Sequence, residues 1–387
     1  MRQWFHSPRR PVRRRFVGAW VAVSMAALVA ACAGDEPRGA LHVGHAEGTV
    51  NNVMERYVDR VITSAEENGA VAVIIRVDTP GGTIDSMKAI AGRIERSEVP
   101  VVTWVGPPGA QAASAGTFIT MAGHIAAMAP NTTIGAATPV GPGGEDVEGA
   151  LGRKVTEDTV AFARGLAEHH DRNADWAERA VRDAVSAPPT EAVELNVVDL
   201  LAPSLPALIE AVEGRQVTLL DGREPELAGL TAARVVDDPP NRYERVLAII
   251  SDPVVVSILL LLGFAGIAIE VFSPGLFVPG ALGLVALLLA FLGAGTLLPG
   301  EVAIALLLLG VALIAAEFFV PSGLLGLVGA LAILLALAIG AGQVTTDLDV
   351  WRVLLATVVV VVVITIPIGL WLRKYLGGSS QTGSRLT

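Results

Sequence analysis

From Val254 to Leu372 the chain is almost continuously apolar, a stretch no ordinary soluble fold could hide from water. Pro, Gly and rare acids break it into segments near 254–272, 281–298, 302–319, 324–341 and 353–372. Each approximates the roughly 17 to 25 residues that a bilayer needs. We therefore expect a multi-span membrane domain over 251–372, with about five helices. Only Val320, Pro321, Ser322 and Gly323 separate the third segment from the fourth, so four spans with a re-entrant hairpin is the alternative. An exported domain followed by five crossings puts the short tail, 373–387, in the cytoplasm. Arg373, Lys374 and Arg385 fit that orientation.

The apolar half contains an internal repeat. Gly266-Ile267-Ala268-Ile269-Glu270-Val271-Phe272-Ser273-Pro274 recurs, 47 residues on, as Leu313-Ile314-Ala315-Ala316-Glu317-Phe318-Phe319-Val320-Pro321. A carboxylate at the end of a lipid-facing helix is costly unless hydrogen-bonded. Glu270 and Glu317 are thus expected to cap the following turn or face the bundle interior, in preference to relaying protons. The repetition implies a duplicated helix hairpin.

The amino-terminal end carries a second membrane signal. Arg2, Arg9, Arg10, Arg13, Arg14 and Arg15 precede an apolar run from Phe16 to Ala31, too short for a typical span but the right form for an export signal over 1–32. It ends in Leu28-Val29-Ala30-Ala31-Cys32, similar to a lipobox, so Cys32 is a candidate for lipidation. Being the lone cysteine, it also excludes a disulfide framework. The formal charge is −10, although residues 1–34 hold six arginines and no acid, so the acidic excess lies in the middle of the chain. Such a surface repels phosphate backbones, and nucleic acid is not expected as a partner.

Residues 35–214 alternate short β-rich runs with amphipathic stretches, the pattern of βαβ units around a parallel sheet, hence an α/β soluble domain. Val50 to Ser64 reads as a helix, Ala72 to Asp78 as a strand, Ile84 to Arg96 as a helix and Pro100 to Val105 as a strand. The first strand runs into Thr79-Pro80-Gly81-Gly82-Thr83, where adjacent glycines let backbone amides approach a ligand or simply make a tight turn. The second leads through small residues to Ala113-Ser114-Ala115-Gly116-Thr117 and a helical Phe118 to Met121. Ser114 at a helix start can project its hydroxyl into a crevice, with the next amide available to a developing negative charge. Small residues there equally permit close helix packing. The polar, Pro- and Gly-broken stretch 215–250 reads as an annex leading to the membrane.

Asp78-Thr79-Pro80-Gly81-Gly82, Ala113-Ser114-Ala115-Gly116-Thr117 and Met128-Ala129-Pro130-Asn131-Thr132-Thr133-Ile134-Gly135 together resemble the NfeD family of membrane-bound serine proteases, relatives of ClpP and signal peptide peptidase A. Ile269 to Gly275 resembles that family's first membrane hairpin, so the resemblance extends over about residues 40–372. It implies a ClpP/crotonase-like spiral of ββα units and a serine and lysine dyad. Ser114 is the implied nucleophile, Lys154 the base, and the amides of Gly82 and Ala115 the oxyanion hole, with Asp78 and Gly81 supporting the turn. A lysine serves as base only when burial or nearby positive charge lowers its pKa. Only about fifteen residues follow Leu372, so the small OB-type barrel that many relatives carry there is not expected.

The resemblance further implies a peptide substrate with apolar segments, a stomatin- or prohibitin-like membrane partner, assembly as a homo-oligomer, and a protease domain on the extracytoplasmic side of the cell membrane. No cofactor is expected. His6, His42, His45, His124, His169 and His170 read as solvated or capping residues, so a histidine triad is not expected. No His, Asp or Glu cluster has recognisable ligand spacing, so no metal is expected either. Two other classes compete. A non-catalytic scaffold for stomatin-like proteins need not keep Ser114 and Lys154, and a crotonase-type acyl-CoA enzyme conflicts with export.

Overall fold

A computed structural model of the chain describes residues 39–141, 144–275, 277–317 and 323–344. The export signal with Cys32, the fifth apolar segment and the tail lie outside the described residues. The soluble elements run β1 (Leu41–Glu47), α1 (Asn52–Glu67), β2 (Ala72–Asp78), α2 (Ile84–Glu95), β3 (Val101–Val105), β4 (Gln111–Ala113), α3 (Ala115–Met121), β5 (Ile125–Met128) and β6 (Thr133–Gly135). They continue as α4 (Gly149–His169), α5 (Ala174–Arg182), β7 (Ser186–Ala187), α6 (Pro189–Glu194), β8 (Leu200–Leu201), α7 (Leu205–Val212), β9 (Val235–Asp238) and α8 (Arg242–Ile250).

Six strands form a sheet of order β8-β5-β3-β2-β1-β9 in which every pairing is parallel. Parallel sheets need cover on both faces, which is why β2 and β3 are apolar throughout apart from Arg76, Asp78 and Thr103. Alternation divides their side chains between two layers. Val73, Ile75 and Val77 pack with Val58, Ile62, Ile90 and Ile94 of α1 and α2, whereas Ala72, Ile74, Val102 and Trp104 face Leu208 and Val212 of α7. Three shorter strands, β4-β6-β7, make a second sheet, with β4 and β6 parallel and β7 antiparallel.

The stretch 215–250, expected as an annex, closes that second layer. Val217, Leu219, Leu227 and Leu230 are buried in it, and β9 pairs with β1 at the sheet edge. The acids of β9 are matched by β1: His42 Nδ1 lies 2.7 Å from Asp238 and His45 Nε2 2.5 Å from Asp237. Asn241 then starts α8 with a reciprocal capping box to Glu244. The other face of Glu244 takes the Arg60 guanidinium at 2.7 and 2.9 Å, joining α8 to α1.

Four apolar helices follow as two antiparallel hairpins, α9 (Pro253–Phe272) with α10 (Val278–Gly293) and α11 (Pro299–Glu317) with α12 (Leu324–Val344). Two of them, α9 and α11, are long and apolar enough to cross a membrane. The second helix lies earlier than the expected 281–298, because Pro279 opens it and Gly295, at φ +72°, follows its end. The repeat is structural. Gly283 packs on Gly263 and Gly266 in the first hairpin, as Gly329 packs on Gly310 in the second. Glu270 Oε1 accepts from the Gly275 amide, and Glu317 accepts from the amides of Gly323 and Gly326. Both carboxylates therefore cap the turns that follow them. Val53 at the start of α1 packs with Leu247 and with Val285, Leu292, Val302 and Leu306 of the bundle.

Candidate active site

The β2 and β3 termini lie side by side, with Val77 opposite Val105, so the loops they emit share one end of the sheet. The chain leaving β2 pairs with β4 through Thr79. The Thr79 amide donates to the Gln111 carbonyl at 2.7 Å, and the Ala113 amide donates to the Thr79 carbonyl at 3.1 Å. Asp78 accepts from the Gln111 amide at 3.1 Å. Asp78 thus holds the serine-bearing strand, and the turn itself is held by Thr79, whose hydroxyl accepts from the Gly81 amide at 3.0 Å.

Ser114 is the one residue between β4 and α3, and it takes φ 52°, ψ −115°. A non-glycine residue at positive φ is held there by its surroundings, and strand-to-helix turns of this form carry nucleophiles in other hydrolases. The Ser114 amide donates to the Gly135 carbonyl at 3.0 Å, and Thr117 Oγ1 accepts from the Gly135 amide at 3.1 Å. The opposite side of Ser114 is pressed against Gly81, where a Cβ would stand 2.5 Å from Ser114 Cβ and 3.0 Å from its Oγ. Gly81 also has φ +114°, so both its conformation and its lack of a side chain are required.

Two amides beside this serine are uncommitted among the described residues. The Gly81 carbonyl accepts from the Val50 amide, and the next peptide N–H, that of Gly82, points the opposite way along a trans peptide, into the exposed face of the turn. The Ser114 carbonyl accepts from Thr117, which leaves the Ala115 amide pointing out of the first turn of α3. Ser114, Gly81, Gly82 and Ala115 are thus brought together. Such a cluster suits an oxyanion formed on a group attached to Ser114 Oγ.

Lys154 is placed differently. α4 begins at Gly149, so Lys154 lies in its second turn and does not open the helix, and its side chain is exposed. The same helix is anchored over the site's supporting elements. Phe162 stacks on Phe118 of α3 with centroids 6.1 Å apart, and Asp158 pairs with Lys88 of α2 at 2.5 Å. Among the described residues no hydrogen bond or ion pair joins Lys154 to Ser114.

The described histidines stay out of the site. His124 Nδ1 accepts from the Val101 amide at 3.1 Å, and burial lowers its pKa to about 4. Burial, with Arg172 nearby, lowers that of His170 to about 3. Arg172 is buried, donates to the Met121 and Gly123 carbonyls at 2.6 and 2.9 Å, and pairs with Asp199 at 2.7 Å. It ties the far end of α3 to the end of α4. No ligand spacing is legible in the sequence, but the fold brings Glu95, His169 and His170 from two helices to within reach of one another. Sequence reasoning also missed Thr79 and Thr117, whose hydroxyls brace the turn. A Thr directly after a strand-ending Asp was the available signal for the first.

Residues 41–205 match the NfeD1b N-terminal domain and residues 254–371 the NfeD integral membrane domain. Membrane-bound protease PH1510 of Pyrococcus horikoshii is 34% identical over 279 residues, which cover 71% of this chain and 63% of that protein. Membrane protein NfeD1b of Bacillus subtilis is 31% identical over 310 residues, covering 77% and 66%. The chain therefore spans about two thirds of the length of these relatives. Among solved structures it is similar to a lysine-to-alanine variant of the 1510-N membrane-bound stomatin-specific protease in complex with a substrate peptide. That match has TM-score 0.52 and 34% identity, and covers 55% of this chain and 98% of the other. The soluble half accordingly has the expected mixed α/β, ClpP-like fold around a parallel sheet. With that domain and the family's membrane domain in sequence on one polypeptide, the chain belongs to the NfeD family.

Proposed function

We propose that this protein is a membrane-anchored serine endopeptidase. The observation that carries the reading is the Ser114 turn, a serine at φ 52° with Gly81 against its side chain and the free amides of Gly82 and Ala115 beside it. Ser114 Oγ attacks the scissile carbonyl carbon as its proton passes to the Lys154 amine. The carbonyl oxygen, now an oxyanion, accepts from the two amides, each worth on the order of 10²- to 10³-fold in rate. Collapse expels the amine of the cleaved peptide, which takes the proton from Lys154. Water then hydrolyses the acyl-enzyme by the same steps and regenerates the hydroxyl.

Desolvation is one way to ready a lysine as a base, and in the single chain the Lys154 side chain is exposed. A substrate segment lying across α4, or a second copy of the chain, supplies that cover. The lysine-to-alanine variant of the 1510-N protease held with its substrate peptide supports a lysine in the dyad. The stomatin specificity of that protease supports a stomatin-like substrate or partner here. We infer that the cut falls in an apolar segment of it. We place the soluble domain outside the cytoplasm, ahead of a multi-pass anchor, on the strength of the arginine-led signal and the apolar helices.

Full-length protein in detergent, incubated with a fluorophosphonate and weighed intact, tests the reading without knowledge of the substrate. One adduct on wild type, none on Ser114→Ala and a strongly reduced amount on Lys154→Ala is expected. Unlabelled wild type with a native fold, or equal labelling of Ser114→Ala, overturns it. The second reading, a non-catalytic scaffold for stomatin-like membrane proteins, is favoured by the exposure of Lys154, and unlabelled but folded protein would establish it as the better account.

A further inference from the structure

The last residue of α2, Glu95, meets the last residue of α4, His169, and its cap, His170. These are the opposite helix ends from the Gly82 turn and Lys154. One ligand atom from each of the three side chains lies within 4.8 Å of the others, and His170 Nε2 stands 3.9 Å from Glu95 Oε1. The two imidazoles are edge to face, with centroids 4.9 Å apart. Donor atoms around a tetrahedral ion with bonds of about 2.0 to 2.2 Å lie roughly 3.4 Å from one another. Small rotations of Glu95 and the exposed His169 close that gap.

His170 supplies the independent observation. Its side chain is 7% exposed, and its Nε2 is buried with no hydrogen-bond partner. An unpaired buried nitrogen is costly, and such groups usually mark something that binds. That nitrogen is the one nearest Glu95, so an ion shared between them would satisfy both. Glu95, half buried, has no Lys or Arg within ion-pair distance among the described residues. Two helix carboxyl ends add their partial negative charge.

The neighbouring groups are otherwise engaged. His124, 6.0 Å from His170 between ring centroids, spends its Nδ1 lone pair on the Val101 amide. Arg172 is turned to backbone carbonyls and Asp199. A cavity of about 370 Å³ opens beside Glu95 and His169, bounded by Phe162, Gly165, Leu166 and Leu220. We propose that Glu95, His169 and His170 bind one divalent transition-metal ion of the zinc class, with its remaining position open to this cavity. Two imidazoles and a carboxylate without thiolate suit zinc, cobalt or nickel better than calcium or magnesium. The ion clasps the ends of α2 and α4, two helices whose other ends carry the oxyanion turn and Lys154.

Tag-free full-length protein in detergent, stripped with chelator, is titrated with Co²⁺ and its visible d–d absorption followed, with Zn²⁺ then added in competition. One ion per chain, displaced by Zn²⁺, is expected. Glu95→Gln and the solvent-facing His169→Ala should each weaken binding by about 10-fold or more. His170→Ala should abolish it, and circular dichroism of all three checks the fold. Absent d–d bands, or bands unchanged in folded Glu95→Gln and His169→Ala, overturn the assignment.

Discussion

The two halves of this molecule use the same small residue for opposite ends. In the soluble half, Gly81 leaves room for Ser114 and Gly82 for the Val50 carbonyl, so that the turn beside Ser114 can form. In the membrane half, Gly263, Gly283, Gly310 and Gly329 leave room for another helix backbone, so that two helices can pack at all. The reason lies in the solvent. The soluble core gains from removing Ile74, Ile75 and their neighbours from water. The membrane helices present Leu261 at 70% and Phe272 at 85% exposure, surface that lipid covers as well as a neighbouring helix would. There, close backbone approach and capped turns hold the hairpins together. Polar networks also differ: buried Arg172 organises two buried carbonyls and the half-buried Asp199 in one half, and single carboxylates cap turns in the other.

The largest effect that tests this contrast is expected at Arg172. Arg172→Met leaves Asp199 and two carbonyls without their cation and should cost the soluble half about 3 to 5 kcal/mol. Hydrogen exchange followed by peptide mass should show faster opening around α3 and β5 and unchanged protection in α9 to α12. Equal loss in both halves would break the comparison. Gly81→Ala comes next, because a 2.5 Å approach must displace Ser114. Fluorophosphonate labelling should fall about 100-fold with protection of both halves intact. Labelling at the wild-type rate would show that the turn is not sterically set.

Acid should separate the halves more gently. His124 stays neutral in the fold down to about pH 4, whereas an unfolded histidine protonates near 6.5. The unfolded state therefore binds more protons as pH falls through this window, and stability declines with it. Between pH 6.5 and 5 this one group removes about 2 kcal/mol from the soluble half. The membrane half has no histidine and should not follow. His124→Gln should flatten the slope in unfolding measured across that range. Smallest is Glu270→Gln, which weakens one charged cap to the Gly275 amide and should cost on the order of 1 kcal/mol in the first hairpin alone. Accelerated exchange in the second hairpin as well would mean that the two repeats are not independent.

Much of this was legible in the sequence, for physical reasons that differ by element. Ala72 to Asp78 and Pro100 to Val105 are mostly apolar runs bounded by turn residues, and both hold strands where that pattern put them. β4, β6 and β7 have three, three and two residues, too short for any period to show. β9, Val235–Asp238, ends in two acids and resembles a loop until its partners His42 and His45 are known. At the site, the Gly81 and Gly82 pair stood out because it lies just past a legible strand, and Ser114 because it opens a helix. Lys154 was named only through family resemblance, since nothing in its neighbourhood marks an exposed lysine as a base. Glu95 and His169 are 74 residues apart, and only tertiary packing reveals them as neighbours.

Val50 bonds both flanks of the Gly82 turn, its amide donating to the Gly81 carbonyl and its carbonyl accepting from Thr83. Three residues later, Val53 is packed among bundle side chains. Three residues of chain reach at most about 10 Å. The fold thus contains a ruler: under the proposed function, a polypeptide held by the Gly82 amide would be held at a fixed, short height above the helices. A segment that cannot come down to the foot of the bundle would be out of range, whatever its sequence.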